Sequence, residues 1–131
     1  MTNSTLLEQL QWRYATKKMD ATKVVPQDKL DVIIEAIRMA PTSSGTQPFE
    51  LIVVTNPEKL AEIQKAAGDQ AQITDGSHLL VFAAWDNYTA DRIDEVTDLN
   101  VAARGDLPML NAYYDNLKNN YLPRDTEVNY A

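Results

Sequence analysis

Cysteine is absent from this chain of 131 residues, which excludes disulfides, thiolate nucleophiles and cysteine-held zinc or iron–sulfur centres. Histidine occurs once, at His78, so a histidine-based metal site or a Ser-His-Asp triad has little to be built from. No apolar run approaches the length of a membrane span. The opening Met1-Thr2-Asn3-Ser4-Thr5 lacks the basic-then-apolar order of a signal peptide. Basic residues are outnumbered 12 to 19, for a net charge of −7 and a pI near 4.6. A surface that acidic repels nucleic-acid phosphates and anionic lipid, so neither is expected as a partner. These absences together describe a soluble, cytoplasmic protein without a metal.

What is present is ordinary globular material: 44% hydrophobic and 24% charged residues, with no repeat, linker or low-complexity tract. Residues 1–131 therefore read as a single domain, long enough for a real core. Ser4 or Thr5 is expected to cap a first helix reaching about Trp12. Pro26 opens a second, where Leu30, Ile33, Ile34 and Ile37 recur at i, i+3, i+4 and i+7. Leu51–Thr55 follows as a strand whose continuous apolar run predicts burial on both faces. Asn56 and Pro57 are the N-cap and first residue of a third helix, with Leu60, Ile63 and Ala67 on its inner face. A polar connection over 68–77 leads to a second buried strand from His78 to Trp85. His78 at its start reads as a hydrogen-bonded structural residue.

From Thr89 the chain is helical and acidic, with Ile93, Val96 and Val101 as its thin apolar side. After Gly105 and Pro108, Leu110, Tyr114, Leu117 and Tyr121 mark a further helix. Tyr113, Tyr114 and Tyr121 are read as core or interface packing residues, with a substrate mouth or a partner surface as the alternatives. Residues 123–131 begin another helix at Asp125 or Thr126 and stop, which reads as part of a longer protein.

Two stretches carry chemistry. Arg13-Tyr14-Ala15-Thr16-Lys17-Lys18 gathers three basic residues on an acidic chain, either a solvated helix end or an anion grip. In an extended segment Arg13, Ala15 and Lys17 would face the same side. Ala40-Pro41-Thr42-Ser43-Ser44-Gly45-Thr46-Gln47-Pro48-Phe49 is a loop of small hydroxyls between a helix and a strand. Such a loop either punctuates the helix or offers N–H and O–H groups to a ligand without side-chain bulk.

Taken together and in this order, the basic segment and the P-[ST]-S-x-x-x-Q-P-[FW] loop resemble the flavin-dependent nitroreductase family, in particular the bacterial NAD(P)H nitroreductases. The resemblance runs closely over about residues 5–85, through Asn56-Pro57-Glu58 and Gln72…Phe82, and loosely beyond. It implies an α+β fold, a mixed sheet flanked by helices, with FMN at the interface of a homodimer and NAD(P)H as electron donor. By that resemblance Arg13 grips the FMN phosphate with Tyr14 and Ala15 beside it, although a serine is frequent where Ala15 stands. Lys17 matches the lysine near N1 and O2 of the ring. Pro41, Thr42, Ser43 and Gly45 match the loop laid against ribityl and ring from the neighbouring subunit. Ser44 and Lys17 are the substrate-side expectations, and Gln72, with Gln70 in reserve, is the amide at the pyrimidine edge.

No side chain is expected to be catalytic, since flavin N5 carries the hydride. The implied activity is ping-pong reduction of nitroaromatics, quinones or similar acceptors. The alternatives are a non-catalytic flavin-binding or interaction module, and a dehalogenase or dehydrogenase on the same fold.

Overall fold

The computed structural model describes residues 3–124. The last predicted element, over 125–131, lies outside the described residues. Secondary structure runs α1 (Asn3–Trp12), α2 (Gln27–Arg38), a 3₁₀ turn (Ser43–Gly45), β1 (Phe49–Val54), α3 (Pro57–Ala66), α4 (Gln72–Asp75), β2 (Leu79–Ala84), α5 (Ala90–Arg104) and α6 (Pro108–Tyr121). The chain divides into two compact units, residues 1–33 with 53–81, and residues 34–52 with 82–131.

In the first unit, α1 spans Asn3–Trp12, so Ser4 and Thr5 lie within it. Its apolar residues stay in solvent, Trp12 at 78% exposure. The segment after it is neither helix nor strand. It ends in a turn at Asp20, whose carboxylate accepts from the Thr22 N–H (3.0 Å) and Thr22 hydroxyl (2.6 Å). The Pro26 carbonyl accepts from Lys29 and Leu30, which starts α2 as its sequence indicates. Only Leu30 of that helix is buried. The α3 cap is as expected: Asn56 Oδ1 accepts the Lys59 N–H at 3.0 Å, with Pro57 at the position where a missing N–H costs nothing. Leu60 is buried, and α3 packs on α4. That short helix replaces part of the expected open connection. It forms because the Thr74 hydroxyl reaches Gln64 Oε1 (3.0 Å) and the Asp75 N–H returns to the Ala71 carbonyl (2.9 Å). The Ser77 hydroxyl accepts the Val25 N–H (3.0 Å) and meets His78 Nδ1 at 2.9 Å, so the histidine is hydrogen-bonded as expected.

β1 and β2 pair as a two-stranded sheet. The Trp85 N–H donates to the Pro48 carbonyl at 2.9 Å, joining the end of one strand to the start of the other, so the pair is antiparallel. The expectation of burial on both faces is corrected here: Ile52 is 49% and Phe82 55% exposed. Apolar runs report which residues seek cover. Cover for a sheet face comes from helices or a second sheet packed on it, and Ile52 and Phe82 lack it here.

The second unit holds the best-packed core. Ile93, fully buried, meets Tyr114 and Leu117 across α5 and α6, with Tyr88, Val96, Leu110, Tyr121 and Leu122 around them. The spacings read from sequence produced these faces. Thr89 caps α5 by accepting the Arg92 N–H at 3.2 Å. Gly105, at φ 87°, ends the helix in a conformation other residues seldom adopt. Lys118 of α6 pairs with Asp94 of α5, which raises its pKa from the ordinary lysine value.

Candidate functional site

The second unit contains a cleft of about 640 Å³. One wall is the hydroxyl loop: Pro41, Thr42, Ser44, Gly45 and Gln47 line it, continued by Arg38 and Met39 from the end of α2. The other is made by α5 and α6, through Leu99, Asn100, Arg104, Leu110, Tyr113 and Tyr114.

The loop is held in an unusual shape. Ser44 (φ 57°), Gly45 (φ 67°) and Gln47 (φ 44°) all lie in the left-handed region, where a serine and a glutamine are strained. Internal hydrogen bonds hold them there. The Thr42 carbonyl accepts the Gly45 N–H (3.0 Å), and the Thr42 hydroxyl accepts the Gln47 N–H (2.9 Å). The Gln47 side-chain amide donates to the Arg38 carbonyl, tying the loop to the helix end. Thr46, 1% exposed, bonds the Ser43 carbonyl (3.2 Å) and the Tyr88 hydroxyl (3.1 Å). Ser44 Oγ stands 3.3 Å from the Tyr121 hydroxyl. The loop is thus fastened to core aromatics at two points. Left over are the N–H groups of Ser43 and Ser44 and the Ser43 hydroxyl, which have no protein partner among the described residues. These are donors available to a ligand.

On the opposite wall, Asn100 Nδ2 donates to the Val96 carbonyl (2.9 Å) and the Tyr114 hydroxyl (3.1 Å). Burial, then the neighbouring Tyr113, raises the Tyr114 pKa, while the Arg104 guanidinium opposes the shift. Arg38 is held by Glu35 in a two-pronged pair, 2.7 and 2.6 Å, which lowers the glutamate's pKa and raises its own.

The sequence-predicted residues fall in both units. Pro41, Thr42, Ser44 and Gly45 are brought together at the cleft, and Ser43 is exposed on the same turn. Arg13, Tyr14, Ala15 and Lys17 lie together on the exposed segment after α1 in the first unit, where neither cation has an ion-pair partner among the described residues. Gln72 is the half-buried first residue of α4, and Gln70 is exposed before it. Sequence reasoning missed Arg38, Asn100 and Arg104. A lone arginine at a helix end carries no mark distinguishing it from a dipole-pairing residue.

The Nitroreductase family model matches residues 10–131. The major NAD(P)H-flavin oxidoreductase of Aliivibrio fischeri is 31% identical over 102 residues, covering 74% of this chain and 47% of that protein. Among solved structures, a nitroreductase-like protein of Streptococcus mutans superposes with a TM-score of 0.79 at 21% identity, over 96% of this chain and 62% of the other. A protein of Exiguobacterium sibiricum, solved in complex with FMN, matches with a TM-score of 0.67 at 20% identity, over 86% and 56% of the two chains. The fold is therefore the α+β nitroreductase-like one, and the chain belongs to the nitroreductase family. It spans about half the length of the curated relatives it matches, from 40% to 58% among the first three. No helix among the described residues is long and apolar enough to cross a membrane.

Proposed function

We propose that this chain belongs to a cytoplasmic, homodimeric NAD(P)H-dependent flavin oxidoreductase that reduces nitroaromatics, quinones or similar acceptors in ping-pong fashion. The observation that carries this reading is the hydroxyl loop, braced into a strained shape with the N–H groups of Ser43 and Ser44 and the Ser43 hydroxyl left unused. Strain held by surrounding bonds is a feature of ligand-binding turns. Family membership and the flavin named for the Aliivibrio and Exiguobacterium proteins support FMN as the ligand.

The residues present fit that group. Arg13 would offer a planar fork to the phosphate, with Tyr14 and Ala15 lending backbone or close contact beside it. Lys17 would place a mobile positive charge at the N1 and O2 edge, favouring the charge that edge gains on reduction. Pro41, Thr42, Ser43 and Gly45 of the partner protomer would hold ribityl and ring, and Gln72 would read the pyrimidine edge. Ser44 and Lys17 touch donor or acceptor. Bound FMN supplies the hydride chemistry at N5, so the chain needs no acid, base or nucleophile of its own.

The test is uptake of FMN by the purified chain, read as flavin absorbance that NAD(P)H bleaches. A chain that takes up no added FMN, alone or as a dimer, refutes the reading. Lys17→Ala is expected to weaken FMN binding and lower its reduction potential; an unchanged potential removes Lys17 from the ring. Ser43→Trp is expected to exclude FMN, and normal affinity would remove the loop from the site.

A further inference from the structure

On a chain carrying −7 overall, the walls of the cleft show the opposite charge. Two guanidinium groups line it, those of Arg38 and Arg104, and no aspartate or glutamate does among the described residues. The two are not equivalent. Arg38 is already neutralised by its two-pronged pair with Glu35. Arg104, exposed in the last turn of α5, has no ion-pair partner among the described residues. It stands on the wall that carries Tyr113, Tyr114 and the Asn100 amide. Tyr113 and Tyr114 meet edge to face with centroids 5.4 Å apart, so aromatic surface and an uncommitted cation share one wall. An aromatic ring bearing a carboxylate complements both features at once. A neutral ring meets only the first.

We propose that Arg104 is a specificity-determining residue that biases this cleft toward aromatic acceptors carrying a carboxylate. The inference rests on the reading of the hydroxyl loop as the flavin-side wall. What fills the rest of the cleft is then the molecule exchanging electrons with it. A guanidinium here adds a charge-assisted hydrogen bond for an anionic acceptor and nothing for its uncharged isostere.

The experiment is titration calorimetry on the full chain, with and without FMN, using 4-nitrobenzoate and its neutral isostere 4-nitrobenzamide. The wild type is expected to bind the carboxylate about five- to tenfold more tightly than the amide, a margin between an exposed ion pair and a charge-assisted bond. Arg104→Gln is expected to remove that preference, and Arg104→Lys to keep part of it. Arg38→Gln, whose charge is already met, is expected to change it less than about twofold. Raising salt should narrow the preference in the wild type and not in Arg104→Gln. Equal Kd values for the two probes in the wild type, or a preference that survives Arg104→Gln, overturns the proposal. So does an Arg104→Gln variant whose only change is a higher KM for NAD(P)H, since the anion would then be the dinucleotide's. A chain that binds no FMN yet keeps the Arg104-dependent preference refutes the flavin reading alone. A flavin-loaded, active chain with no preference refutes this one alone.

Discussion

Replacing Thr46 by valine deletes one hydroxyl and keeps the shape. That hydroxyl is buried at 1% residue exposure and lies 3.2 Å from the Ser43 carbonyl and 3.1 Å from the Tyr88 hydroxyl. Each hydrogen bond contributes about 0.5–1.5 kcal/mol net, so Thr46→Val should cost roughly 1–3 kcal/mol. Of these two bonds Tyr88→Phe removes the second, which accounts for about 0.5–1.5 kcal/mol of its cost. The double variant should then cost less than the sum of the singles, with a coupling of about 0.5–1.5 kcal/mol. Urea unfolding measures it, followed by Trp85 emission, because the Trp85 and Tyr88 rings meet edge to face at 5.8 Å. In a Trp12→Phe background that signal reports the second unit alone. Strictly additive losses would show that Thr46 and Tyr88 do not share a bond. The account of the loop as braced through its core-facing threonine would then fail. A Thr46→Val protein that keeps its stability would refute it more directly.

Ile93→Ala opens a hole in the fully buried centre of the α5–α6 contact and should destabilise the second unit by about 2–5 kcal/mol, read by the same unfolding curves. Asn56→Ala removes the acceptor for the Lys59 N–H at the start of α3 and should cost about 1 kcal/mol, visible as a lower urea midpoint. Alkaline titration should weaken the fold. Tyr114 is raised above the usual 10.0 by burial and Lys118 above 10.5 by Asp94, so both hold their protons longer folded than unfolded. Their contribution is fully present below pH 10 and is lost as pH rises through the folded values; Tyr114→Phe should flatten the part due to Tyr114. Unfolding midpoints from pH 7 to 11 test this, and a curve that rises above pH 10 contradicts it.

Which features were legible in the sequence follows from how far apart their determinants lie. The α3 start needed only Asn56 and Pro57, two adjacent residues with specific backbone roles, and it formed as read. The α6 face needed Leu110, Tyr114, Leu117 and Tyr121, four residues on one helical period, and two of them are buried. The hydroxyl loop was legible as a motif because its small residues are consecutive. Its shape was not, since beside its internal bonds it is fastened by Tyr88 and Tyr121, tens of residues downstream. α1 and the two strands misled in another way. Their apolar residues signalled a need for cover, but whether cover exists depends on neighbours that periodicity cannot count.

By itself, then, the sequence determined the helices with local caps and periods, the family through two spaced motifs, and the absence of thiol or multi-histidine chemistry. Only the tertiary structure decided that Arg104 faces the same cleft as Pro41 and Ser44, some sixty positions away. It alone showed that Arg38 is spent on Glu35 while Arg104 is not. The physical reason is that charge and strain are properties of surroundings. A residue's type states what it could do, and the groups folded against it settle which of those capacities remains open.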